Sequence, residues 1–125
     1  MTSAAVSIKA FGVYAFLTGL NLLLAPNFVF SLLGIPPTND VWIRVVGVLA
    51  VVIGYYYWVC GSANARAFFK ATINGRIAGF LLPLLLIALV NAPWQLALFA
   101  VVDLAGAAWT LAAMHAEAKA STVGA

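Results

Sequence analysis

Charge is what this chain has least of. Six cations and three acids make up 7% of its 125 residues, while 66% are hydrophobic. Soluble domains carry about 25% charged residues because their surface must face water. A chain with so few polar groups cannot cover such a surface, so lipid is its expected solvent. Cysteine is nearly absent: Cys60 stands alone, which excludes an intrachain disulfide and a CxxC redox pair. The single histidine, His115, excludes bis-histidine haem ligation within the chain and leaves no metal-ligand spacing. Glycine-rich phosphate loops, a Ser-His-Asp set and closely spaced carboxylates are missing as well. Nothing in the sequence supports an enzyme, a metal or a cofactor. The net charge of +3 reflects a shortage of acids rather than a dense basic cluster, so nucleic acid is not an expected partner.

What the chain does have is long apolar runs. Residues 6–25, 41–60, 76–92 and 94–115 each approach the roughly 17–25 residues needed to cross a bilayer. Pro26 closes the first run, which is expected to be retained as a helix rather than removed as a secretory signal. Residues 27–34 are too short to span and suit a short interfacial helix, with Phe28, Phe30, Leu32 and Leu33 at the headgroup boundary. Pro36-Pro37 then enforces an extended turn, and Thr38-Asn39-Asp40 offers N-cap side chains to the second span. Residues 62–75 read as a second interfacial helix. Asn74-Gly75 stops it, and Pro83 kinks the span that follows. Asn91-Ala92-Pro93 makes a tight hairpin, and residues 116–125 form a short polar tail. The expected fold is all-α: one polytopic domain, an up-down bundle of four transmembrane helices with interfacial helices in the first outer loop and the cytoplasmic loop.

The cations give this bundle a direction. Lys9, Arg66, Lys70, Arg76 and Lys119 fall on one side and Arg44 alone on the other. By the positive-inside rule both termini are cytoplasmic, in a multi-pass protein of the inner (plasma) membrane. A local similarity runs through the spans: Lys9-x-x-Gly12-Val13-x-Ala15-x-x-x-Gly19 recurs as Arg44-x-x-Gly47-Val48-x-Ala50-x-x-x-Gly54, and Arg76-x-x-Gly79 opens the third span. Glycines seven apart let helix backbones approach closely, so packing is the favoured explanation over duplicated hairpins.

Polar groups within apolar spans are the candidates for function. Asp103 lies well inside the fourth span, with Ala100, Gly106, Ala107 and Thr110 on its face, so it points into the bundle. Arg44 comes from the opposite side and is the expected partner of Asp103, with Asp40 competing for it one turn away. Tyr14, Thr18 and Asn21 share one face of the first helix, and Tyr55 shares the face of Arg44. Together these residues form a candidate polar stripe. One reading makes it structural glue around an Asp103–Arg44 ion pair; the other makes it a ligand cavity or ion pathway. Arg66, Lys70 and Arg76 are topology determinants that can also hold lipid headgroups. The Tyr55-Tyr56-Tyr57-Trp58 run reads as an interfacial aromatic belt.

Several short motifs carry a resemblance. They are Asn21-Leu22-Leu23-Leu24-Ala25-Pro26, Arg44-x-x-Gly47, Gly54-Tyr55-Tyr56, Gly75-Arg76 and Asp103-x-x-Gly106-Ala107-x-Trp109-Thr110. In these the chain resembles the DoxX-like and BphX-like small bacterial integral membrane proteins over nearly its whole length. The resemblance implies a four-helix membrane fold, and for some members a setting beside redox or aromatic-catabolism genes; it carries over no catalytic residue. The Thr/Ser filter segment of four-helix fluoride channels and the first-helix glutamate of small multidrug exporters are both missing. The expected function is non-enzymatic: binding of a small apolar or lipid-like molecule, or service as an accessory membrane subunit. The alternative is a channel or proton-coupled transporter built on Asp103 and Arg44. Expected partners are membrane lipid and, through the glycine- and alanine-rich faces, further copies of the chain or a larger membrane complex.

Overall fold

The structure is a computed structural model that describes residues 3–124. Its helices are α1 (Ser3–Leu24), α2 (Pro26–Leu33), α3 (Val41–Ser62), α4 (Arg66–Val90) and α5 (Leu96–Gly124). Four of them, α1, α3, α4 and α5, are long and apolar enough to cross a membrane.

Local chemistry explains where these helices stop. Pro26 lacks the amide that would continue α1, and it occupies the first turn of α2, where that amide is not needed. Gly34 takes the left-handed conformation that closes α2 (φ 74°), and Asn91 does the same after α4 (φ 56°). The extended Pro36-Pro37 connector is clamped by Asn27. Its side-chain amide donates to the Thr38 carbonyl at 3.1 Å, and its side-chain oxygen accepts from the Thr38 amide at 2.8 Å. Asp40 then caps α3, accepting from the Trp42 amide at 2.9 Å.

Two boundaries differ from the sequence reading. The segment 62–75 is not a separate interfacial helix, because α4 starts at Arg66 and runs unbroken through Asn74-Gly75. Continuation lets Phe69, Thr72 and Arg76, three and four residues apart, bury along one stripe, and that packing outweighs the weak helix preference of Asn-Gly. Likewise the helix does not stop near residue 115: α5 continues through the polar residues that follow, as far as Gly124. Glu117 explains part of this extension. It accepts from the Ala4 amide at 2.8 Å and pairs with Arg66 at 2.7 Å, joining the starts of α1 and α4 to the last turns of α5.

Helix α1 packs against both α3 and α5, and α4 packs mainly against α5. The α1–α3 contact is made by the repeated glycines. A Cβ on Gly19 would lie 2.7 Å from the Gly47 carbonyl oxygen, and one on Gly47 would lie 2.7 Å from that of Gly19. Gly12 and Gly54 oppose each other in the same way, at 2.9 and 2.7 Å. The earlier glycine of α1 thus meets the later one of α3, so the two helices run antiparallel with their backbones touching. At one end of this pair the Lys9 ammonium stacks over the Trp58 ring at 4.1 Å.

Candidate functional site

The most buried charge in the chain is Arg76, 3% exposed and ten positions into α4, about 15 Å from the start of that helix at 1.5 Å per residue. Its side chain is held by hydroxyls. Nη2 donates to Thr110 Oγ1 at 2.8 Å and to Thr72 Oγ1 at 3.0 Å, while Nε donates to the Thr72 carbonyl at 3.2 Å. The chain of donors extends to α1, where Ser7 Oγ lies 2.7 Å from Thr110 Oγ1. Because Ser7 spends its proton on the Ala4 carbonyl at 2.7 Å, the Thr110 hydroxyl is the donor to Ser7. One network therefore joins α1, α4 and α5. The guanidinium also lies 4.9 Å from the Phe11 ring centroid and 5.7 Å from that of Tyr57, within cation–π range. Nη1 is the exception, buried with no hydrogen-bond partner among the described residues. Gly106 makes room for it, since a Cβ there would sit 3.0 Å from both Nη1 and the Phe11 ring.

Asp103 stands on the neighbouring stretch of α5 and reaches across to α4 at Gly79, where any Cβ would collide with its Oδ2. Gly79 is thus the notch that admits the carboxylate. Pro83, four residues on, has no N–H, so the Gly79 carbonyl lacks its usual helical donor beside this carboxylate. Asp103 and Arg76 face a common cavity of about 400 Å³. All four long helices line it: Phe11, Tyr14, Ala15 and Thr18 from α1, Ala50, Ile53 and Tyr57 from α3, Gly75 and Arg76 from α4, and Asp103 from α5. A few polar groups converging on a mostly apolar hollow is the usual make-up of a small-molecule pocket.

The structure brings together only part of the expected stripe. Tyr14, Thr18 and Asp103 share the cavity. Arg44 does not reach Asp103: its guanidinium donates to the Leu23 carbonyl and, at 3.5 Å, to that of Leu24. The reason is local, because α1 ends at Leu24 and its last carbonyls have no helical amide ahead of them, so a cation one turn into α3 finds acceptors there. Tyr55 is exposed and borders an outer groove with Gly12, Phe16 and Trp58, while its neighbour Tyr57 takes the interior position. Asn21 is half-buried outside the cavity lining, with its side-chain oxygen enclosed and without a partner among the described residues. Arg76, expected among the headgroup contacts, is instead the interior cation, whereas Arg66 and Lys70 stay near the helix end. The Thr72–Arg76–Gly79–Pro83 spacing, one helical stripe of polar and breaker residues within an apolar run, is the signal that marks it.

Two outcomes follow from the place of Arg44. Arg44→Gln is expected to lower stability by about 1 kcal/mol through loss of hydrogen bonds at the end of α1. Combined with Asp103→Asn it should act additively, since the two sites share no partner. Denaturant titration of the single and double variants in detergent checks both, and a coupling above about 0.5 kcal/mol would contradict the geometry.

Comparison with protein-family models, with curated proteins and with solved structures finds no significant match to this chain.

Proposed function

We propose that the protein is a multi-pass membrane protein that binds a small, largely apolar molecule in the cavity between its four long helices, with the ligand's polar group seated between Arg76 and Asp103. The observation that carries this reading is the convergence of both interior charges on one hollow of about 400 Å³ whose other walls are mainly apolar or aromatic. Arg76 Nη1, which has no hydrogen-bond partner among the described residues, supplies a donor, and the Asp103 carboxylate supplies an acceptor. A carbonyl group on the ligand would accept from Nη1, and a hydroxyl group could accept from Nη1 or donate to the carboxylate.

Placement in the membrane belongs to the same proposal. The four long helices form an up-down bundle with α2 lying at the interface, where exposed Phe28 and Leu32 would meet lipid. Lys9, Arg66, Lys70 and Lys119 then mark the cytoplasmic side of the plasma membrane against Arg44 on the other. Kinship with the DoxX-like and BphX-like proteins remains a proposal supported by the short motifs alone. Proton-coupled transport would also use Asp103, but the predominance of apolar side chains in the lining favours binding over a water-filled path.

Filling the hollow tests the reading. Ala50→Trp places a large ring into the cavity from α3. Organic extracts of the purified wild type should contain a small molecule, seen by mass spectrometry, that the variant lacks at an unchanged melting temperature. Identical extracts from the two proteins would sink the proposal. Uptake of protons into wild-type liposomes, abolished by Asp103→Asn, would favour transport instead.

A further inference from the structure

A second hollow, about 510 Å³, lies between α4 and α5, lined by Arg66, Lys70, Ile73, Leu111, Met114, His115 and Ala118. Its chemistry is graded along the helices. Arg66, Lys70 and Ile73 follow one another down a single face of α4, at i, i+4 and i+7. On antiparallel α5, His115 lies nearer the charged end and Leu111 deeper. From Arg66 to Ile73 is about 10 Å of helix, over which the lining passes from cationic to wholly apolar.

The charges at the mouth are unevenly satisfied. Arg66 is paired with Glu117 at 2.7 Å and stacks over the Phe69 ring at 5.5 Å. Glu117, the acid bordering this end, is therefore already neutralised by Arg66 and by the Ala4 amide. Lys70 is exposed and has no ion-pair partner among the described residues. The first turn of α4 also receives no side-chain cap, so its amides add positive potential at the same end.

We infer that this groove is a binding site for one anionic phospholipid, with the phosphate held by Lys70, His115 and the free side of Arg66 and an acyl chain laid along Ile73, Leu111 and Met114. A soluble anion would use the cations but not the apolar floor; a neutral lipid would use the floor but leave Lys70 uncompensated. A molecule with an anionic headgroup at one end and hydrocarbon about 10 Å long beyond it matches both parts, and an anionic phospholipid is the membrane component of that form. The inference rests on the membrane placement proposed above but not on the cavity ligand, so the two readings fail separately.

Native mass spectrometry of the full chain, equilibrated with equal amounts of phosphatidylglycerol and phosphatidylcholine in mixed micelles, tests it. The wild type should retain phosphatidylglycerol about fivefold over phosphatidylcholine, the worth of roughly one uncompensated surface cation. Lys70→Gln with His115→Gln, both exposed positions, should erase the preference, and Ile73→Trp should cut phosphatidylglycerol retention while leaving the cations in place. Equal retention of the two lipids by the wild type would overturn the inference, as would a preference that survives the Lys70/His115 double substitution. Displacement of phosphatidylglycerol by millimolar inorganic phosphate would show a soluble-anion site and overturn the lipid assignment. A protein that fails to enter lipid vesicles at all would instead remove the membrane placement.

Discussion

Leucine in place of Gly19 or Gly47 should prevent the protein from folding to a stable state in detergent. The atoms a side chain would meet are backbone: the Val51 amide nitrogen 2.6 Å from a Cβ on Gly19, and the Leu23 amide nitrogen 2.6 Å from one on Gly47. No rotamer change relieves such a collision, so α1 and α3 must move apart along their whole contact. Overpacking of this kind costs about 1–3 kcal/mol, and occasionally more; a contact between two backbones belongs at the upper end because nothing flexible can give way. Gly75 offers the comparison, since a Cβ there meets nothing within 4 Å. Gly75→Ala should raise stability by up to about 1 kcal/mol through better helix propensity. Thermal melts of the variants in one detergent compare them directly, and a Gly47→Leu variant that melts like the wild type would contradict the antiparallel glycine contact.

The second large effect is expected at Arg76. Arg76→Met removes the donor that satisfies Thr72 and Thr110 and leaves Asp103 without the nearest cation facing its cavity. Losing the charged donor to two buried hydroxyls, with a half-buried carboxylate left facing no cation, costs about 3 kcal/mol. Restoring neutrality should recover much of the loss, so Arg76→Met with Asp103→Asn is expected to be more stable than Arg76→Met alone. This is coupling, the reverse of the additivity expected for Arg44 with Asp103. Unfolding free energies for the four corners of the cycle decide it; a double variant no more stable than Arg76→Met would mean that the two charges do not sense each other across the cavity. Thr110→Val sharpens the assignment, since it removes one acceptor from the guanidinium and the donor to Ser7 Oγ, whose own proton stays on the Ala4 carbonyl, with an expected loss of about 1–3 kcal/mol.

The helices were legible because lipid imposes a simple criterion, length and hydropathy, that can be read one segment at a time. Gly12, Gly19, Gly47 and Gly54 were legible for a related reason: a seven-residue spacing places small residues on one face whatever the partner. Asp103 stood out as a carboxylate where hydrocarbon should be. The identity of its companion did not. Choosing between Arg44 and Arg76 requires knowing which helices are neighbours, and α5 packs on α4 and α1, a fact of assembly that no spacing contains. Arg76 was further disguised by position. A cation at the head of an apolar run reads as a boundary anchor, and only the burial of Phe69 and Thr72 on the preceding turns shows that α4 began ten residues earlier. Tyr55 and Tyr57 were separated by the same kind of information, since helix rotation decides which of two nearby tyrosines faces inward.

The network that ties Ser7 to Thr110 has a consequence in time. These side chains are 103 residues apart, and Ala4 and Glu117 are 113 apart. At synthesis rates of about 5–20 residues per second, the polar stripe of α1 has no α5 to meet for roughly 5–20 s after it emerges. During that interval the glycine contact with α3 is the one large interface available to α1. The first hairpin can thus close through its glycines while Ser7, its proton already on the Ala4 carbonyl, still lacks the Thr110 donor that arrives with the second hairpin.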